Sequence, residues 1–182
     1  TPTHESGETD YSQINAVFAD IAHLLNRTEG HIRIVLRSTM PIGSTRKYAN
    51  RLKKTVQNPN VNYHLIFHPE FLREGNAISD FFNPSVTTLG HSFEGPQNDQ
   101  ANSPELRALK LNKENVFIVN YETAEMLKYV NNVFHALKTS FANEMGSIAA
   151  SNIHIDMTKL FEMFLKDTKL NISTKYLSPG LS

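Results

Sequence analysis

The sequence predicts an α/β fold, part of a parallel, Rossmann-like sheet with crossover helices, followed by a long helix and a separate helical region. Three observations predict it. Short runs rich in β-branched residues alternate with segments of helical period, each run ends in a turn-prone polar stretch, and helical spacing then continues from 122 to 151 without proline and with a single glycine, Gly146. Residues 1–120 read as the sheet domain and 121–182 as the helical one.

The elements follow in order. Ile14, Val17, Phe18, Ile21 and Leu25 recur at helical spacing, with Asp10 or Ser12 as cap and Glu29-Gly30 as stop. Ile32 to Leu36 is a strand, ended by Ser38-Thr39-Met40-Pro41-Ile42-Gly43. A helix from about Ser44 to Val56 carries Arg46, Lys47, Arg51, Lys53 and Lys54, which read as a solvated face, and Asn58-Pro59-Asn60 breaks it before a second strand, Tyr63 to Phe67. Val86 to Leu89, stopped by Gly90, is a third strand; 91–103 is a loop, Ser103-Pro104-Glu105 starts a helix, and Val116 to Val119 is a fourth strand. Helices from 122 to 151 and from Asp156 to Leu165 complete the chain. Because the first helix has no strand before it, the first half of the sheet is expected to lie outside these residues.

Composition narrows the chemistry. The chain has 182 residues, with 18 Lys plus Arg against 18 Asp plus Glu, so no net field selects nucleic acid or an anionic membrane. It has no Cys, which excludes thiol nucleophiles and Cys-based zinc sites within these residues. No run is apolar and long enough to span a bilayer, and Thr1-Pro2-Thr3-His4-Glu5 lacks the features of a signal peptide, so the expected location is the cytoplasm. None of the eight glycines forms a G-x-G-x-x-G or a P-loop.

Two constellations suggest a site. On the long helix Lys128, Asn132, His135, Thr139 and Asn143 make a polar stripe bordered by Met126, Val130, Val133, Phe134, Leu137, Phe141 and Met145. Such a stripe suits a polar ligand, with Lys for charge and Asn and His for orienting hydrogen bonds; it equally suits a polar seam against neighbouring elements. His68-Pro69-Glu70-Phe71-Leu72-Arg73-Glu74-Gly75 follows the second strand, where open α/β sheets bind ligands, and Glu70 and Glu74 are candidates for acid/base work. Spacing alone favours either carboxylate pairing with Arg73 on a surface turn. Thr39 has the same edge position, or caps a helix. His64 and His68 share a strand face with Glu70 nearby but have no clear third ligand, so they read as structural and no metal site is expected.

At these residues the chain resembles the UDP-glucose/GDP-mannose dehydrogenase family. The matching pieces occur in family order: Thr1-Pro2-Thr3, Arg37 to Gly43, Pro69 to Gly75, Asp80 to Pro84, Ala124 to Tyr129 with Asn132, and Ser140 to Glu144. Asn132 to Ala136, Lys169 to Ser173 and Tyr176 to Gly180 look most like the GDP-mannose branch, His135 above all. The resemblance implies a four-electron oxidation of a sugar C6 alcohol to a carboxylate, with two NAD⁺ and a Cys-bound thioester. It gives Lys128 an acid/base or oxyanion role assisted by Asn132, and gives Glu74 with Thr39 the hydrolytic water. Glu70, Phe71, Leu72, Arg73, Glu74, His135, Asn143 and Tyr176 would line the nucleotide-sugar site, and Thr1, Thr3, Thr39 and Glu74 would meet the dinucleotide. A homodimer through the long helix is implied as well, and the apolar arc around the stripe argues for one independently.

The chain also departs from the family. Leu181-Ser182 stand where the family leads into Gly-Gly-Ser-Cys, His68 replaces an Asn, and Lys175 and Ser178 replace a Tyr and an Arg. The expectation is an internal fragment lacking the glycine fingerprint, the catalytic Cys and the C-terminal domain, inactive alone. The alternatives are a UDP-sugar dehydrogenase and a non-catalytic dimerisation or binding module.

Overall fold

The computed structural model describes residues 2–73, 75–92 and 115–169. They fall in two compact units, Thr1–Asn132 and Val133–Ser182. In the first, helix α1 (Ser12–Leu25) buries Phe18 and Leu25 on the side where Ile14 and Ile21 are half-buried. Asp10 Oδ1 accepts from the Ser12 amide at 2.8 Å, forming a turn just ahead of the helix. The helix stops at Asn26, before the expected Glu29-Gly30, because the Asn26 side-chain Nδ2 donates to the carbonyls of Ala22 at 3.0 Å and Thr55 at 3.1 Å.

Strands β1 (Gly30–Leu36) and β2 (Val61–Phe67) pair in parallel from Gly30↔Val61 to Leu36↔Phe67. Helix α2 (Ser44–Thr55) joins them and buries Tyr48, Ala49 and Leu52. The Tyr48 ring stacks on Phe18 with centroids 4.3 Å apart, and its hydroxyl donates to Asn15 Oδ1 at 2.9 Å, which ties α2 to α1. Lys47, Arg51, Lys53 and Lys54 are exposed, as the reading of a solvated face requires, whereas Arg46 departs from it, half-buried and paired with Glu122.

The sheet is parallel in pairs and not throughout. A short helix that the sequence did not announce, α3 (Ala77–Phe82), follows β2; β3 (Thr87–His91) then runs antiparallel to β2 through Phe67↔Gly90, and β4 (Val116–Asn120) is parallel to β3. The strand order is β1-β2-β3-β4. No residue of α3 is buried, so it does not pack on the sheet as a crossover helix does, and the chain returns from the carboxyl end of β2 by turning back. The expected helix at Ser103-Pro104-Glu105 lies outside the described residues.

Helix α4 (Tyr121–Ala150) leaves β4 without a loop, and Asn120 Oδ1 accepts from the Thr123 amide at 2.9 Å as its cap. Its first turn is nailed to the sheet. The Tyr121 hydroxyl donates to the Leu65 carbonyl at 2.7 Å, and burial pushes the phenol up to about 12. Gly90 lies inside β3 and does not end it, since a Cβ there would meet Ala124 Cβ at 2.9 Å and Phe67 Cβ at 3.3 Å.

In the second unit α5 (Met157–Lys166) starts one residue later than expected, because Asp156 is its cap, whose Oδ1 accepts from the Lys159 amide at 3.1 Å. Phe164 packs against Phe141 and Phe161, with centroids 5.7 and 6.2 Å apart. Among the described residues no helix is long and apolar enough to cross a membrane.

Gly90→Ala forces α4 off the sheet, and it should lower the unfolding free energy by about 1–3 kcal/mol with unchanged far-UV dichroism. Urea titration measures the loss, and an unchanged midpoint would refute the close-approach argument.

Candidate functional site

The carboxyl end of β2 holds the candidate site. The His68 amide donates to the Leu36 carbonyl at 2.9 Å, which extends the β1–β2 ladder by one residue. Pro69, also buried, cannot extend it further, so the chain leaves the sheet at Glu70. Lys128 Nζ donates to the Glu70 carbonyl at 2.5 Å and stands 5.4 Å from the Phe71 ring centroid. An ammonium held between a carbonyl and an aromatic face is fixed in place and still part-exposed, which suits a cation meant for an incoming oxyanion.

The charges around it pair differently from the expected surface turn. Glu70 meets Arg37, one residue past β1, at 3.5 Å, and the Arg37 guanidinium lies 4.8 Å from the Phe81 ring centroid. Arg73 makes a bidentate pair with Asp80 at 2.9 and 2.7 Å, and its amide adds a third bond at 3.0 Å. These bonds depress the Asp80 carboxyl to about 2. Glu70 therefore anchors its loop to β1 and Arg73 anchors it to α3.

His68 turns inward. Its Nδ1 lies 3.0 Å from the Thr88 carbonyl, which only accepts, so the proton sits on Nδ1. Burial lowers its pKa below the ordinary imidazole range, against the opposing pull of that bond. Its strand partner His64 is exposed, and no cluster of three metal-ligating side chains occurs among the described residues.

Glu125, which sequence reasoning passed over, is the best-buried charge in the site. Its side chain is inaccessible to solvent, with Oε2 accepting from the Gly43 amide at 2.6 Å and Oε1 from the Thr45 amide at 2.7 Å. These are orphan donors of the α2 N-terminus, where Gly43 has φ +85° and no local side chain caps. Burial is the largest influence on the carboxyl and raises it above the usual range, outweighing the two amide bonds. Its contribution to stability is accordingly full below the ordinary carboxylate range and is lost as pH rises through the raised value. Beside it Arg46 pairs with Glu122 at 2.5 and 2.8 Å. The available signal was an acid three residues before Lys128 inside an apolar run.

The other expected residues are more scattered. Thr39 is half-buried on the loop after β1, so its alternative as cap of α2 falls to Gly43 and Glu125; Thr3 is exposed in a bridge with Thr9. Leu72 and Arg73 are exposed on the loop after β2, and Asn132 is exposed one turn beyond Lys128. His135, Thr139 and Asn143 belong to the second unit and are exposed there, so among the described residues the stripe beyond Lys128 is not buried. Thr1, Glu74 and Tyr176 lie outside the described residues.

Two family models cover most of the chain: residues 1–103 match the NAD binding domain and residues 122–182 the central domain of the UDP-glucose/GDP-mannose dehydrogenase family. The chain belongs to that family. GDP-mannose 6-dehydrogenase of Pseudomonas putida is 32% identical across all of this chain, which spans 41% of that enzyme. A putative UDP-glucose 6-dehydrogenase of Bacillus subtilis is 32% identical over 81% of the chain and 33% of its own length. Among solved structures, a GDP-mannose dehydrogenase from Pseudomonas aeruginosa matches with TM-score 0.83 and 29% identity over the whole chain and 41% of its own. A UDP-glucose dehydrogenase from Pyrobaculum islandicum gives 0.76 and 30% over 93% of this chain and 38% of its own.

The cofactor of the first domain is therefore NAD. Thr39, at the carboxyl edge of β1, fits the neutral, hydrogen-bonding part of a dinucleotide. The α2 N-terminus does not fit its pyrophosphate, because the Glu125 carboxylate already takes the amides of Gly43 and Thr45.

The Arg73–Asp80 clasp should open in acid. Asp80 is depressed, so its contribution is present above about pH 3.8 and lost as pH falls through about 2. The Arg73 Nε–H resonance should follow that titration, and Asp80→Asn should reproduce the open state at neutral pH. An Nε–H signal indifferent to both would remove the clasp from the site.

Proposed function

We propose that this chain is part of a cytoplasmic NAD-dependent nucleotide-sugar 6-dehydrogenase acting on GDP-mannose, which it oxidises at C6 from alcohol to carboxylate. The observation that carries the reading is Lys128 Nζ, fixed by the Glu70 carbonyl and Phe71 at the carboxyl edge of the sheet. Bound NAD supplies the hydride acceptor. Lys128 places positive charge where the C6 oxygen becomes anionic, and Asn132, one turn on, adds an amide donor. Thr39 holds a hydroxyl at the same edge, and with Glu74 it orients the water that releases the carboxylate. The loop from Glu70 to Glu74 positions the sugar; the resemblance adds His135, Asn143 and Tyr176 for the nucleotide sugar. Support for GDP-mannose comes from the Pseudomonas relatives and from His135; the Bacillus and Pyrobaculum relatives support a UDP-sugar as second reading.

The partner chain we propose is a second copy. One helix, α4, exposes Met126, Val130, Val133, Phe134, Leu137, Phe141 and Ile148, more apolar surface than a monomer ordinarily leaves in water. A two-fold dimer with these helices packed together covers it.

Two measurements test this. The protein at its full natural length should form NADH with GDP-mannose in preference to UDP-glucose, and Lys128→Ala should lower kcat by roughly 10²-fold or more. No NADH with either nucleotide sugar would end the enzyme reading. The 182 residues alone should show no four-electron oxidation, having no Cys, and should scatter light as a dimer at tens of micromolar, about the range where such interfaces are populated. Monomer mass there would reject the dimer.

A further inference from the structure

We infer that Glu125 is a positioning residue that locks the helix carrying Lys128 to the loop carrying Thr39, so that the ammonium is aimed by a carboxylate it never touches. Glu125, Lys128 and Asn132 stand at i, i+3 and i+7 on one face of α4, so whatever fixes the rotation of Glu125 fixes the direction of Lys128. Glu125 is fixed from outside its own helix. Both carboxylate oxygens accept amides that bracket the start of α2, Gly43 at 2.6 Å and Thr45 at 2.7 Å, and Gly43 ends the segment that begins at Arg37 and includes Thr39.

The same turn is held as well by close approach, with Ala124 against Gly90, and by Tyr121 on Leu65. Those contacts set how near α4 lies to the sheet. The two amide bonds set its angle about its own axis, because a bidentate carboxylate tolerates little rotation.

Glu125 is also an expensive way to hold two elements together. A carboxylate without solvent access pays in desolvation, and a well-packed apolar residue often stabilises as much or more. What the apolar residue lacks is direction. A buried acid with two defined amide partners gives one orientation of α4, and the 2.5 Å bond from Lys128 to the Glu70 carbonyl is the product of that orientation.

This deepens the proposed function, resting on it for the meaning of Lys128 at the sugar, but its test needs no turnover. Trace labelling with acetic anhydride, read by mass spectrometry, compares Lys128 with the exposed Lys53 and Lys54. In the unsubstituted chain Lys128 should react about ten-fold more slowly than either, in keeping with a closed local structure. Glu125→Gln, which keeps one acceptor, should raise the Lys128 rate several-fold, and Glu125→Ala should bring it within about two-fold of the references. Glu122→Gln removes the carboxylate charge and one of the two bonds of the Arg46 pair on the same turn and should leave Lys128 protected; a merely destabilising change would expose it in both cases. Protection surviving in folded Glu125→Ala, or lost in Glu122→Gln, overturns the inference.

Should the Glu125 variants fail to fold, the unsubstituted chain in sub-denaturing urea decides. Hydrogen exchange at the Gly43 and Thr45 amides and labelling of Lys128 should report one common opening, and an earlier, separate release of Lys128 overturns the inference. Normal labelling behaviour together with a failed NADH assay would sink the dehydrogenase reading and leave the role of Glu125 standing.

Discussion

A carboxylate shut away from water at the start of a helix eighty residues earlier in the chain is the constraint on which the first unit depends. Helix α2 has no acidic residue in its first turn and no side-chain cap of its own, and its N-cap position is a glycine at φ +85°. Its orphan amides need an acceptor, and Glu125 provides both oxygens from α4. That one group thereby joins the crossover helix between β1 and β2 to the helix that follows β4. Arg46 on Glu122 adds a second tie between the same two helices, this one part-exposed.

The reversal at β3 keeps the chain at the carboxyl edge of β1 and β2. Had the chain crossed over again, a helix would cover one face and the next strand would begin at the far end of the sheet. It turns back through α3 instead, and the loop after β2 is tied down at separate points: Glu70 to Arg37, Arg73 to Asp80 and the Glu70 carbonyl to Lys128. None of these ties requires deep burial of the loop, so its residues remain at the surface where a ligand meets them. The rigid element is the sheet with α4 against it, where Gly90 allows the helix to come closer than any side chain would permit.

The long helix serves two ends with one sequence. Its first turns are core, with Tyr121, Ala124 and Glu125 buried, while further along it exposes Val133, Phe134, Leu137 and Phe141. Packing among the described residues accounts for the first group and leaves the second exposed. Apolar residues concentrated on an exposed helix are what the proposed second copy would cover, and Gly146 has open space where a Cβ would stand.

The residue order by itself determined most of the element list. Periodicity placed α1, α2, α4 and α5 and the four strands to within a few residues, Asp156 announced its own helix, and the ordered motifs around Thr39, Glu70 and Lys128 announced the family. Local signals sufficed there because helical period, β-branching and capping act over a few residues. Tertiary structure alone decided the rest. Gly90 looked like the end of a strand because glycine usually marks one, whereas its pairing with Phe67 and Val119 puts it inside β3 and the approach of Ala124 shows why it is a glycine. Glu70 was matched to its sequence neighbour Arg73, whereas β1 delivered Arg37 to it from more than thirty residues away and Arg73 went to α3. Glu125 drew no reading of its own, since nothing within four residues of it indicates that the amides it satisfies belong to Gly43 and Thr45. Each of these depends on two segments distant in sequence meeting at bonding distance, and a linear pattern carries no measure of that distance.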